Sequence, residues 1–338
     1  MKKIVVSEID YISNKFLCLP NVQKFEVVSR QEKKFISEIE MEDGYSFRMT
    51  GLLLDRVYPG TIVEILNQNE DVSVVVAPYI SDRTAAICID NGMGYFDYSG
   101  NCYYVGHSIY LSEKGNKNIV PRKIKTDTIF EKSSVVSSKI LRMIFTDTNK
   151  CWRIKHLSEA VGCSIGQVSK VINYLQENAW IEKTKEGYKL LDPKGLIKEW
   201  SSTYGNKETR SFSTYCLNAP AALERKIADM KNEMGIDCYL TGFSGGVRYA
   251  PVVRYNKVHV YMFPKDIAEA MDYLSLKEVD SGANMIIYCL DNDSFIKDAK
   301  EIDGCKVVSP VQIYLDAMQL KGRGEELAEA VYNKEIRR

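Results

Sequence analysis

The chain has 338 residues, of which 45% are hydrophobic and 27% charged, and its 45 Lys and Arg are balanced by 45 Asp and Glu. That length calls for two or three domains of ordinary globular composition, and no apolar run approaches the ~18 residues of a membrane span. Acidic Glu8 and Asp10 close behind the basic start argue against a signal peptide. Nine scattered Cys without a C-x-x-C pair and three separated His give no metal-ligand spacing, so neither a cofactor nor a metal is expected, and reduced thiols in a cytoplasmic protein are.

Residues 1–120 read as an α/β domain. Strands are expected over 25–28, 35–39, 46–54 and 61–66, with turns at Asp43-Gly44 and Pro59-Gly60. The run 72–77 is apolar and β-rich, as in a buried strand, and Pro78 ends it. Ser81 is placed to cap a helix over 81–89, with Ala85, Ala86 and Ile89 inward. A strand over 94–97, a tight turn over 97–101 and a strand over 102–105 follow. This strand-helix-strand unit resembles the core of restriction-endonuclease-like folds. Active nucleases of that class carry Glu-x-Lys or Asp-x-Lys there, which holds a divalent metal and steadies a water. The corresponding stretch here is Val75-Val76-Ala77, so the expectation is an endonuclease-like domain without its catalytic motif. Asp97 and Glu64 are the candidate acids, but a turn-starting role and a strand's polar phase account for them better. Tyr95, Phe96, Tyr98, Tyr103, Tyr104 and Tyr110 have the chemistry to stack on bases, though such residues are more often sheet packing.

The polar stretch 114–128, with Arg122, Lys123 and Lys125, is expected to be a linker or a strand with a basic edge. Residues 121–205 then read as a winged helix-turn-helix. A helix over 137–147 places Ile140, Leu141 and Ile144 on one face. A second helix covers 154–161, with Leu157, Ala160 and Val161 apolar. Gly162-Cys163-Ser164 breaks the chain: Gly suits the left-handed position after a helix, Ser the N-cap of the next, and Gln167 completes a capping-box spacing. The third helix, 165–178, is expected to bury Ile165, Val168, Val171, Ile172 and Leu175. Gln167, Ser169, Lys170, Asn173 and Tyr174 are left on its open face, able to bond base edges or phosphates. Trp180-Ile181 starts a hairpin that turns at Lys185-Glu186-Gly187 and returns over 188–191. This is the wing, carrying Lys183, Lys185 and Lys189. Arg153 and Ser164 complete the candidate DNA-binding set. Residues 121–210 hold 17 Lys and Arg against 10 Asp and Glu, while residues 1–120 and 211–338 are both net acidic. Positive charge gathered around a helix-turn-helix is what phosphate contact requires. Asp192-Pro193 opens a further helix whose Leu196, Ile197 and Trp200 are expected to pack back on the winged helix, and 201–213 is expected to be a loop.

Residues 206–338 read as a mixed α/β domain. Helices are expected over 218–234, 264–274, 309–320 and 324–333. Strands are expected over 237–241, 252–253, 258–263, 285–290 and 306–308, and Phe243-Ser244-Gly245-Gly246 is expected to be a glycine-rich turn. A glycine-serine turn before a strand with two acids is the layout of nucleotidyltransferases, whose acids hold metals. Here the strand is Val258-His259-Val260-Tyr261-Met262, without the acids, so the expectation is a degenerate, nucleotidyltransferase-like domain. Residues 242–246 lack the Lys and spacing of a P-loop.

Several stretches combine in one order: the winged helix with its Asp-Pro helix and Trp200, Tyr239-Leu240-Thr241-Gly242, the run from Val308 to Asp316, and Gly322-Arg323-Gly324-Glu325-Glu326. Together they resemble the AbiEi-type antitoxins of type IV toxin-antitoxin systems and the transcriptional regulators grouped with them. The resemblance covers about 134–336. It implies a non-enzymatic regulator that binds double-stranded DNA at its own promoter and represses an operon. It also implies a nucleotidyltransferase-like toxin encoded nearby, which the antitoxin need not bind directly. The alternatives are a metal-dependent nuclease using residues 1–120 and a winged-helix scaffold for protein partners. Neither the oligomeric state nor an effector is legible in the sequence.

Overall fold

The structure, a computed structural model, describes residues 8–68, 71–117, 129–130, 134–204, 209–290 and 292–337. They fall into two compact units, one within 1–126 plus 177–179 and the other within 127–176 plus 180–338. The basic stretch with Arg122, Lys123 and Lys125 lies outside the described residues. Among those described there is no helix long and apolar enough to cross a membrane, no cluster of potential metal ligands, and no disulfide.

The first unit begins with α1 (Glu8–Leu17), β1 (Val22–Gln31), β2 (Lys34–Met41) and β3 (Ser46–Leu53). It continues with α2 (Pro59–Asn67), β4 (Val74–Ala77), α3 (Asp82–Asp90), β5 (Gly94–Asp97), β6 (Cys102–Gly106) and β7 (Ile109–Glu113). The seven strands form one sheet in sequence order. The β1-β2-β3 meander is antiparallel, β3-β4-β5 is parallel, and β5-β6-β7 is antiparallel again. Residues 61–66 are therefore not a strand. Parallel β3 and β4 need a crossover, and α2 supplies it, with Pro59 in its first turn and Ile62 and Ile65 buried one turn apart. Glu64 lies on this helix rather than on a strand. Period-2 alternation sorts β4: Val74 and Val76 join the core beneath α1, and Val75 and Ala77 the core beneath α2 and α3. Gly51 is opposite Phe35, whose ring lies 2.1 Å from where a Cβ would stand, so a bare backbone gives the aromatic ring its seat. Asp97 is fully buried and accepts hydrogen bonds from Ser99 N (2.9 Å), Asn101 N (2.9 Å) and Asn101 Nδ2 (2.8 Å). It holds the turn, as expected. Ser81 accepts from Thr84 N and caps α3.

The second unit opens with α4 (Val135–Phe145), α5 (Ile154–Val161), α6 (Ile165–Glu177), β8 (Ile181–Lys183), β9 (Tyr188–Leu190) and α7 (Pro193–Tyr204). Then come β10 (Ser211–Tyr215), α8 (Pro220–Met234), β11 (Tyr239–Thr241), α9 (Gly242–Tyr249), β12 (Val258–Met262), α10 (Ile267–Tyr273), β13 (Lys277–Glu278) and β14 (Met285–Cys289). The unit ends with β15 (Lys300–Ile302), β16 (Cys305–Val307), α11 (Pro310–Ala317) and α12 (Gly324–Val331). A seven-stranded mixed sheet runs β13-β10-β14-β12-β11-β16-β15. The winged-helix segment and the C-terminal α/β segment, expected as separate domains, share one continuous hydrophobic cluster.

Three C-terminal expectations change. Residues 211–215, in the stretch expected to be a loop, form β10, which pairs with β13 and β14. Residues 252–253 are not in a strand. The glycine-rich segment 243–246 is helical, inside α9. A Cβ on Gly245 would stand 2.7 Å from the Leu240 carbonyl oxygen, and one on Gly246 would stand 2.5 Å from a Leu327 methyl. These glycines let α9 lie close on β11 and α12; they are packing glycines, not a phosphate cradle.

Candidate nucleic-acid interface

The α5–turn–α6 segment, the expected helix-turn-helix, is built by caps and one buried stripe. At the end of α5, Gly162 adopts φ 72° and its N–H bonds Ser158 O at 2.9 Å, while Ser158 Oγ donates to Cys163 O at 2.6 Å. The chain then enters α6 through a capping box. Ser164 N and Oγ both donate to Gln167 Oε1 at 3.0 Å, and Gln167 N donates back to Ser164 Oγ at 3.3 Å. Val168, Val171, Ile172 and Leu175 are buried against Ile140, Leu141, Leu157 and Trp180.

Helical geometry places Gly166, Lys170, Asn173 and Glu177 opposite that stripe, and all four are exposed. Ser169 flanks them and is half-buried. Lys170 and Asn173 thus stand where the sequence places them. Two expectations need correction. Tyr174 is half-buried, its ring edge-on to Phe130 at 5.8 Å, so it belongs to packing rather than to the open face. Ile165 is 57% exposed instead of buried; it opens the helix, one turn before the stripe closes over the core. Gln167 and Ser164 are exposed, and the capping box expected of their spacing engages Gln167 Oε1 and Ser164 Oγ.

The wing is a two-stranded hairpin extended by a bridge in which Trp152 and Tyr188 exchange N–H···O bonds of 2.8 and 2.9 Å. Gly187, at φ 145°, has no room for a Cβ, which would fall 2.7 Å from Trp152 O. Arg153 caps this junction: its Nε donates to Glu186 O at 3.1 Å while the side chain stays exposed. Cross-strand pairing puts Lys189 opposite Glu182 and Lys183 opposite Tyr188. Lys183 and Lys189 therefore project from opposite faces of the wing, with Lys185 at the tip. All three are exposed, and among the described residues no carboxylate lies within ion-pair distance of them or of Lys170. The structure brings Arg153 to the wing turn and keeps Lys170 and Asn173 on one helix face. It does not gather the three wing lysines on a single surface. Gly166 is what sequence reasoning missed. A glycine in the first turn of a helical pattern, between the two residues of the capping box, was its available signal.

The helix after the wing ties this module to the C-terminal sheet. Asp192 Oδ1 accepts from Gly195 N at 2.8 Å, the N-cap expected of Asp-Pro. Trp200 is buried and stacks near Phe145, with its centroid 5.4 Å below the Arg142 guanidinium carbon. Arg142, on α4, donates to Gln312 Oε1 on α11. Gln312 Nε2, with two hydrogens to give, lies within hydrogen-bond distance of Asp316 Oδ1 (2.7 Å), Tyr204 Oη (3.0 Å) and Tyr261 Oη (3.3 Å). Asp316 also accepts from Thr241 Oγ1 (2.5 Å) and Tyr261 Oη (2.9 Å). Burial and the Asp316 charge hold the Tyr204 and Tyr261 phenols far above the usual range, so both remain donors. On β12 the alternate positions expected to lack acids hold His259 and this hydrogen-bonded Tyr261. His259 Nδ1 lies 3.1 Å from Tyr288 Oη.

No curated protein matches the chain. Residues 189–337, from the second wing strand through the C-terminal helices, match the family described as "Transcriptional regulator, AbiEi antitoxin, Type IV TA system", and over that stretch the chain is similar to that family.

Proposed function

We propose that the protein is a sequence-specific, double-stranded DNA-binding regulator that represses its own promoter, antitoxin-like in its C-terminal part. The observation that carries this reading is the pairing of an outward Lys170–Asn173 stripe on α6 with a wing whose exposed lysines have, among the described residues, no carboxylate within ion-pair distance. Lys and Asn side chains on an otherwise solvated helix face match the donor pattern of base edges and phosphates. The match to an antitoxin and regulator family supports the regulatory role. It starts at the second wing strand, so DNA contact by α6 rests on the geometry alone. A nucleotidyltransferase-like toxin encoded nearby is the partner gene this reading implies, with no direct contact required. The segments 1–120, 121–205 and 206–338 serve as an endonuclease-like module without cleavage chemistry, a DNA-binding module and a degenerate nucleotidyltransferase-like module. For the first, the support is that β4, Val74–Ala77, carries no carboxylate to hold a metal-bound water.

The test is fluorescence anisotropy of the full chain with its own upstream DNA and with scrambled DNA, across a salt series. Preference for the upstream fragment, with affinity falling as salt rises, is the expected result. Equal affinity for both fragments rejects the specific regulator, and magnesium-dependent cleavage of either fragment points to the nuclease reading instead.

A further inference from the structure

The first turn of α6 presents an apolar side chain beside bare backbone, and its outward polar side chains are confined to Ser164 and Gln167. Ile165 projects 57% exposed. Gly166 beside it is exposed, and a Cβ built there would meet only Ser164 Oγ, at 4.0 Å. Glycine is the costliest ordinary residue in a helix after proline, and nothing within the free protein demands it at this position. The polar side chains of the same turn, Ser164 and Gln167, are engaged with each other in the capping box. Polar chemistry resumes one turn later, at Ser169 and Lys170. The end of the helix is thus a low apolar tip with a polar stripe behind it.

We infer that this tip reads thymine: Ile165 packs on thymine 5-methyl groups in the major groove, and Gly166 lets the helix end approach the base edges closely. The inference rests on the DNA-binding reading above and deepens it. A recognition helix meets base edges with its N-terminal residues. The major-groove edge of thymine is the one that presents a methyl group, and an apolar side chain is its complement. A glycine without an internal packing partner fits a surface against which the backbone must come close. Lys170, exposed one turn further along the same helix, favours a polyanion over an apolar protein groove as the occupant of this face.

The experiment compares the upstream DNA fragment made with thymidine with the same fragment made with deoxyuridine throughout. The exchange removes the methyls and leaves every base-pairing group in place. Wild-type protein is expected to bind about fourfold more weakly for each methyl covered. Ile165→Ala, an exposed substitution that leaves the core intact, is expected to bind thymidine DNA more weakly and to respond much less to the exchange. Gly166→Leu, a better helix former than glycine, is expected to bind both DNAs more weakly while retaining its helix content. Equal affinity of the wild type for the two DNAs overturns the inference. So does an equal response in wild type and Ile165→Ala, which would put the methyl recognition elsewhere. Undiminished binding by Gly166→Leu removes the close approach. Scrambled thymidine DNA is the control that separates the two levels: a wild type that does not prefer the upstream fragment over it overturns the DNA-binding reading itself, and this inference with it.

Discussion

His259 stands on β12 where a nucleotidyltransferase would carry an acid, and its environment decides its charge. The side chain is buried and its Nδ1 faces the Tyr288 hydroxyl. Burial, with a smaller push from the Lys257 charge, drives its pKa down from 6.5 to about 4. The folded protein therefore keeps the imidazole neutral at pH values where the unfolded chain already protonates it. Stability from this group is complete above about pH 6.5 and falls as the pH drops towards about 4, because the unfolded state binds the extra proton. The total is on the order of 3 kcal/mol. Urea midpoints measured from pH 7.5 to 4 should decline more steeply for wild type than for His259→Gln, which keeps a hydrogen-bonding group but cannot titrate. Parallel pH profiles would show that the imidazole is not held neutral. The paired-carboxylate metal site of a nucleotidyltransferase needs acids on this strand, and neither His259 nor the Tyr261 phenol supplies one.

At the scale of elements, the proposed DNA binding assigns α6 and the wing different work. Lys170 and Asn173 lie on the outward line of the helix, so replacing both with Ala should abolish preference for the upstream DNA while thermal stability stays within about 0.5 kcal/mol of wild type. Lys183→Ala with Lys185→Ala should weaken upstream and scrambled DNA alike and flatten the salt slope by about 0.9 for each phosphate no longer neutralised. Retained preference in the helix variant would put recognition elsewhere. An unchanged salt slope in the wing variant would remove the wing from the phosphates. The elements behind this argument were readable in the sequence where local chemistry is strong: the Ser164–Gln167 box, Gly162, Asp192-Pro193, Ser81 and the turn at Asp97 all do in the structure what their spacing implies. The misreadings occur where tertiary context overrides local pattern. Residues 61–66 are β-branched enough for a strand, but the parallel β3–β4 pair needs a crossover helix there. Residues 243–246 are glycine-rich enough for a turn, but the glycines serve the approach of α9 to β11 and α12. Tyr174 and Ile165 exchange expected places because periodicity cannot see Phe130, which covers the one, or the helix end, which leaves the other bare.

At the scale of the whole molecule, the second unit joins the α4–α7 segment to an α/β sheet through a buried polar junction. Arg142 comes from α4, Tyr204 from α7, Gln312 and Asp316 from α11, Tyr261 from β12 and Thr241 from β11. Gln312, fully buried, bonds both the Arg142 guanidinium and the Asp316 carboxylate and so links the two charges. Such a junction is more costly to break than it is worth to build, because each partner left behind is a desolvated polar group. Gln312→Leu should thus destabilise the protein by about 2–4 kcal/mol, since it removes one acceptor from a buried guanidinium and a donor from the Asp316 carboxylate. Arg142→Met added to Gln312→Leu should recover a large part of that stability, because two matched apolar side chains leave one charge fewer to satisfy. Urea unfolding of the single and double variants measures both steps, and a double variant no more stable than Gln312→Leu would refute the coupling. The same pair separates stability from function. If the junction sets the pose of α4, and through it of α5 and α6, the double variant should regain its unfolding midpoint yet bind upstream DNA more weakly than wild type, since apolar packing restores free energy without restoring the directional bonds that orient the helix.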